Sequence, residues 1–175
     1  MTVAYIGLGS NLDDPRHQVR SACVELAAVG NLQFIAVSSL YRSAPLGPTD
    51  QPDYVNAVAE IATSLTAQAL LDVLQHIENS HGRQRGEVRW GPRTLDLDIL
   101  LFGEKIINSD RLTIPHPGLY ERPFVLYPLQ EIAPALVVPG RGPLTQLIQS
   151  CPRGRLEKIG RIMLPVNNND NETQL

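Results

Sequence analysis

The apolar periods along this 175-residue chain predict an α+β fold: a ferredoxin-like βαββαβ core with an appended C-terminal α/β layer. Three observations carry that expectation. Strand-like and helix-like segments follow one another in the order β-α-β-β-α-β. Both helices carry starting and stopping signals that can be read directly. A strictly alternating strand rich in leucine, 95–101, closes the unit.

Residues 3–10 read as a short buried strand ending in a glycine-serine turn. Asp14 followed by Pro15 is an N-cap with proline at the first helical position, and Val19, Ala22, Cys23 and Leu26 keep helical spacing until Gly30. Residues 32–41 form the second strand. The prolines and glycine of 43–52 exclude helix and interior strand. In the third strand, 54–63, Val55, Ala57, Ala59 and Ile61 face one way, and Tyr54, Asn56 and Glu60 the other. Thr66 caps a helix with Leu70, Leu71, Leu74 and Ile77 as its apolar stripe and Gly82 at its end. In the closing strand Leu95, Leu97, Ile99 and Leu101 share one face, and Asp96, Asp98, Leu100 and Phe102 the other. The remainder reads as the appended layer, with a rigid turn at 113–117, a short helix near 124–131 and a last helix over 143–151. Residues 1–164 are expected to form one domain. Residues 165–175 have no apolar period and are expected to be a disordered tail.

Hydrophobic content of 43% and charged content of 19% are those of a globular protein with a real core. A net charge of −3 argues against a general nucleic-acid or anionic-membrane binder. Cys23 and Cys151 form no C-x-x-C pair, and 2–12 lacks the basic start of a leader peptide, so a reduced cytoplasmic setting is expected. No apolar run approaches the length of a membrane span. The chain is expected to act as a monomer on small molecules, with neither nucleic acid nor membrane as partner.

Asp96 and Asp98 concentrate the chemistry. Carboxylates at i and i+2 lie roughly 6–7 Å apart along a strand. Without a cation they repel by about 2–3 kcal/mol at an effective dielectric of ~20. An arbitrary D-x-D can be a charged strand end facing water. Here Arg83, Arg85 and Arg89 lead into the strand beside Trp90, the only tryptophan, and Arg93 stands three residues before Asp96. That mixture suits a hard metal ion together with the phosphates that accompany it. The basic loop could be a solvated face or a lid over phosphates. Gly7 and Gly9 match neither the P-loop nor the dinucleotide motif, and read as close backbone packing at a strand end. His17, His76 and His81 read as surface residues. His116, between two prolines, suits either a structural turn or an imidazole held against a ligand. Tyr54 and Asn56 suit either an ordinary sheet face or a flat ring stacked on one and hydrogen-bonded by the other.

The run R-W-G-P-R-T-L-D-L-D-I-L (89–100) resembles the signature of the 6-hydroxymethyl-7,8-dihydropterin pyrophosphokinase family. The resemblance extends to I-G-L-G-S-N-L (6–12), S-L-Y-R (39–42), P-L-G (45–47), Q-P-D-Y-V-N (51–56), L-T-I-P-H (112–116), Arg122, Phe124, Pro128 and E-I-A-P (131–134), covering about residues 1–140 in the family's order. It implies transfer of the β,γ-pyrophosphoryl group of ATP to the pterin hydroxymethyl oxygen, with release of AMP. It implies two Mg2+ ions held by Asp96 and Asp98. The pterin would lie between Tyr54 and Phe124, near Trp90, its edge read by Asn56 and by Ser43, Ala44, Pro45 and Leu46. Gln75, Glu78, Arg85, Trp90, Arg111, Thr113, His116 and Arg122 match positions lining the ATP or adjoining site, and Leu71, Arg89, Ile99 and Leu112 those around the adenosine. Arg83 and Arg93 match the catalytic-loop and phosphate-contacting arginines. Ser43 stands where the family often has threonine. Ala44, Gly118 and Pro123 are further departures, which touch the edge contacts rather than the reaction.

Two other classes compete with this reading. An RNA-binding module would need exposed aromatics in an RNP pattern on a basic sheet face, and here the face carries carboxylates. A metal-dependent phosphohydrolase could use the same pair of aspartates.

Overall fold

The computed structural model describes residues 1–82 and 91–164. The expectations for Arg83, Arg85, Arg89 and Trp90, and for the 165–175 tail, therefore lie outside the described residues. The elements are β1 (Thr2–Ser10), α1 (Pro15–Ala28), β2 (Leu32–Val37), β3 (Leu40–Ser43), β4 (Tyr54–Thr63), α2 (Ala67–Ser80), β5 (Asp96–Phe102), β6 (Ile107–Asn108), β7 (Thr113–Ile114), α3 (Pro123–Ile132), β8 (Val137–Val138), β9 (Gly142–Pro143), α4 (Leu144–Gln149) and β10 (Glu157–Gly160). The result is a mixed α/β structure built on an antiparallel sheet. β1 runs between β4 and β5, and the far edge of β4 is shared by β2 and β3.

The sheet separates two apolar layers. On one face Val19, Cys23 and Leu26 of α1 and Leu70, Leu74 and Ile77 of α2 pack on Ile6, Ala59, Ile61, Leu97 and Ile99. On the other, Val125, Leu126 and Leu129 of α3 pack with Leu144 on Val58, Leu100 and Leu101. Cys23 and Cys151 belong to different layers, both free and buried.

Most helix signals act as their chemistry requires. The Asp14 carboxylate accepts from the His17 N–H, although Asp14 takes a left-handed φ of 61° instead of the usual extended cap. The Thr66 hydroxyl accepts from the Ala69 N–H, and Gly82 follows α2 with φ +82°. α1 ends earlier than Gly30 suggested, because Val29 is already extended.

The structure corrects four expectations. The strand over 32–41 is broken at Ser38 and Ser39. Val37 pairs with Ala59 and Tyr41 with Asn56, so one extra residue is accommodated between them. The Ser38 hydroxyl accepts the Val58 N–H at 3.0 Å, filling the ladder at the break. The alternation of 95–101 likewise fails at its end. Ile6 pairs with Ile99 and Tyr5 with Leu101, leaving Leu100 as the bulged residue. Leu101 therefore joins Leu100 under α3, and Phe102 joins the α1 and α2 layer. His81 is no surface residue: its side chain is 8% exposed and its Nε2 lies 2.6 Å from Glu25. Finally, the C-terminal part supplies β10, which pairs with β3 and extends the main sheet, and the last helix is shorter than 143–151.

Candidate active site

β1 crosses the site carrying no side chain where it matters. Gly9 is paired with Asn56 on one side and Asp96 on the other, and Gly7 with Val58 and Asp98. All of these except Val58 line a cavity of about 370 Å³ on the α3 side of the sheet. A Cβ on Gly9 would lie 3.2 Å from Asn56 Oδ1, and one on Gly7 3.3 Å from Leu100 Cδ2. Close backbone packing is thus half of their meaning. They are also a floor that keeps the amide of Asn56 and the two carboxylates in one open space. Only the cross-strand register reveals this, and no spacing along the chain announces it.

The carboxylate side is tied to a cation. Arg93 Nη1 donates to Asp96 Oδ1 at 2.9 Å. Burial disfavours the Arg93 charge, but Asp96, Tyr54 and Asp98 outweigh it and raise its pKa above the ordinary arginine value. The backbone of Arg93 is fixed by Asn11, a residue not foreseen as part of the site. Asn11 Oδ1 accepts the Arg93 N–H at 2.8 Å, and the Asn11 N–H donates to the Arg93 carbonyl at 3.0 Å. Its amide nitrogen donates to Gln51 Oε1 and to the Pro52 carbonyl. Asn11 therefore clamps the end of β1, the 51–52 turn and the start of the D-x-D strand together.

His116 sits at the same wall, after a cis Ile114–Pro115 bond. Its Nδ1 accepts the Gly118 N–H at 3.0 Å, so the ring proton belongs on Nε2, which lies 3.7 Å from Asp98 Oδ2. Burial, and then the nearby Arg122 charge, push its pKa down to about 4, so the ring is neutral at pH 7.

Opposite, Asn56 donates to the Ser43 hydroxyl at 2.7 Å, both residues being buried, and the Tyr54 hydroxyl donates to the Gly91 carbonyl at 2.8 Å. Phe124 enters from the first turn of α3. Of the anticipated residues the cavity gathers Ser43, Ala44, Leu46, Tyr54, Asn56, Arg93, Asp96, Asp98, His116, Arg122 and Phe124. Pro45 is not in its lining. Leu71, Gln75 and Glu78 are on α2, and Arg111, Leu112 and Thr113 on or beside the β6–β7 turn, outside the cavity but along elements that contact β5. Arg111 pairs with Asp72 at 2.6 Å, Leu112 and Ile99 are buried in the α1 and α2 layer, and Glu78 bonds the backbone of β5.

Among the described residues no three His, Cys, Asp or Glu side chains gather as a metal cluster. Asp96 and Asp98 fit a different pattern. Mg2+ is commonly held by one or two carboxylates, with substrate phosphates and water completing its shell. Among the described residues no helix is long and apolar enough to cross a membrane.

A small α/β protein with adjoining carboxylates, a fixed guanidinium and aromatic residues in one cavity has the makings of an enzyme that handles phosphates and a planar ring. The model of the 7,8-dihydro-6-hydroxymethylpterin-pyrophosphokinase (HPPK) family matches residues 5–134, and the chain belongs to that family. The 2-amino-4-hydroxy-6-hydroxymethyldihydropteridine pyrophosphokinase of Haemophilus influenzae is 50% identical over 159 residues, which cover 91% of this chain and 99% of that protein. That of Pseudomonas aeruginosa is 48% identical over 155 residues, 89% of this chain and 95% of that protein. Among solved structures, wild-type Plasmodium falciparum HPPK-DHPS with SDX-DHP aligns with a TM-score of 0.61 at 15% identity, over 86% of this chain and 43% of that one. That likeness is one of fold, and this chain spans less than half of that longer protein.

Proposed function

We propose that the protein transfers the β,γ-pyrophosphoryl group of ATP to the hydroxymethyl oxygen of 6-hydroxymethyl-7,8-dihydropterin in folate biosynthesis. The products are the pterin diphosphate and AMP. The observation that carries this reading is the single cavity that holds Asp96, Asp98 and Arg93 across a glycine floor from Asn56 and Tyr54, in a chain of the HPPK family. Its volume, about 370 Å³, is in keeping with small-molecule sites.

The hydroxymethyl oxygen attacks the β-phosphorus, forming an O–P bond as the bond from that phosphorus to the α,β-bridging oxygen breaks. The electron pair passes to the bridging oxygen, which leaves on AMP, and the hydroxyl proton goes to solvent or a phosphate oxygen. Such transfers need positioning and charge stabilisation more than a strong base. Arg93, held by Asn11 and Asp96, presents a permanent positive charge to the phosphates. Neutral His116 offers its Nε2–H as a donor beside Asp98. Tyr54 and Phe124 enclose the pterin ring, while Asn56, with Ser43 and the backbone of 44–46, reads its edge. Arg83 acts with Arg93 on the phosphates. Gln75, Glu78, Arg85, Trp90, Arg111, Thr113, His116 and Arg122 line or adjoin the ATP site, and Leu71, Arg89, Ile99 and Leu112 surround the adenosine. Asp96 and Asp98 would hold two Mg2+ ions, which when bound supply Lewis-acid neutralisation of phosphate charge.

The strand order of β1 to β5 supports reading the core as ferredoxin-like, with α3 and α4 as the appended C-terminal layer and β10 added to the core sheet, in one domain over 1–164. We read the protein as a cytoplasmic monomer. Its two cysteines lie in different layers and form no bridge with one another.

The test is to mix the protein with magnesium-ATP and the pterin and identify the nucleotide released. AMP formed only when the pterin is present is expected. ADP, or ATP breakdown without pterin, would overturn the transfer and favour a phosphohydrolase using the same carboxylates.

A further inference from the structure

Gly118 lies in the loop between β7 and α3, and Arg122 is the residue that precedes α3. The Arg122 side chain folds back onto Gly118. A Cβ built on Gly118 would lie 2.3 Å from Arg122 Cζ and Nε and 2.7 Å from Nη2, closer than any real carbon stands. The guanidinium therefore occupies the volume that any other residue at 118 would claim. Its central carbon is also 5.9 Å from the Phe124 ring centroid. Gly118, Arg122, His116 and Phe124 line the same cavity.

We propose that Gly118 is a positioning residue whose missing side chain seats the Arg122 guanidinium in the cavity wall, where it receives an anionic oxygen of the nucleotide. The identity of that ligand rests on the ATP reading above. A guanidinium is always charged and presents a planar fork to phosphate. Packed beforehand against the turn and the ring, it loses less side-chain freedom when the anion arrives. Gly118 is not among the positive-φ glycines, so alanine can adopt its backbone. The clash falls on the flexible end of an arginine, so Gly118→Ala should move Arg122 and leave the fold intact.

The experiment is a cycle of Gly118→Ala, Arg122→Ala and the double variant. Calorimetry measures binding of a magnesium-bound non-hydrolysable ATP analogue. The Arg122 Nε–H NMR resonance, assigned by its loss in Arg122→Ala, reports where the guanidinium sits. Each single variant should bind about tenfold more weakly, the loss of one contact to a charged group. The double variant should bind no more weakly than Arg122→Ala. In Gly118→Ala the resonance should shift as the guanidinium leaves the ring, with a Tm no lower than the parent's. Undiminished binding in either single variant, additive losses, or an unmoved resonance would overturn the proposal. AMP formation by the unaltered protein is measured alongside. If it proceeds while the cycle fails, the seat alone is wrong; if it is absent, the reaction itself is wrong.

Discussion

The buried carboxylate of Glu78 on α2 accepts the backbone N–H of Leu97 at 2.8 Å, and Leu97 is the residue between Asp96 and Asp98. Among the described residues β5 pairs in the main sheet only with β1, so Glu78 serves the edge of β5 that no described strand covers. A helix side chain thereby fixes the height of the strand that aims both aspartates into the cavity. Glu78→Ala would leave a buried N–H without an acceptor, at a cost of about 1–3 kcal/mol. Glu78→Gln retains an acceptor oxygen and should keep most of that stability. Urea unfolding of the two variants decides the matter: equal midpoints for the alanine variant and the parent would mean the tie contributes nothing.

Asp98→Ala should lower turnover far more than affinity for the pterin. Asp98 lines the cavity opposite Gly7, beside His116, whereas the proposed ring contacts come from β4 and α3. Loss of one carboxylate from a metal-phosphate site should reduce kcat on the order of a hundredfold or more. Pterin affinity, followed by equilibrium fluorescence, should change little. Retained turnover would remove the carboxylates from the mechanism.

The floor predicts a steric result. Gly9 has an ordinary strand backbone, so the obstacle to a side chain there is space, not φ. Gly9→Ala places a methyl 3.2 Å from Asn56 Oδ1 and 3.7 Å from Tyr54 Cδ1. Pterin binding should weaken, and Gly9→Val should weaken it further, while nucleotide binding is affected less. Calorimetric titration of each substrate separates the two; equal losses for both would argue against a pterin-side floor.

Local chemistry was legible in the chain, and long-range geometry was not. The cap at Thr66, the strand over 54–63 and the shared face of Asp96 and Asp98 depend on neighbours a few residues away. The bulges at Leu100 and at Ser38–Ser39 depend on register with β1 and β4, so alternation alone put Leu101 and Phe102 on the wrong faces. Asn11 shows the same limit at the site. Its motif is visible, but its clamp joins residues 40 and more positions apart. His81 looked like a helix-end surface residue because its partners, Glu25 and Gln18, come from α1.

His116 carries a pH signature that can be read in the metal-free protein. Its folded pKa is pushed from an ordinary 6.5 down to about 4, by burial first and by Arg122 next. Between those values the unfolded chain takes up a proton on this residue that the folded chain refuses. Stability from this source is therefore complete above pH 6.5 and declines as the pH falls toward 4, below which it levels off. The slope within that window approaches about 1.4 kcal/mol per pH unit. Urea unfolding across the range should show this decline, and His116→Asn should flatten it. The Cε1–H chemical shift of His116 should stay at its neutral value through pH 5.5. An imidazole that protonates near 6.5 instead would mean that the ring is not buried beside Arg122 in solution.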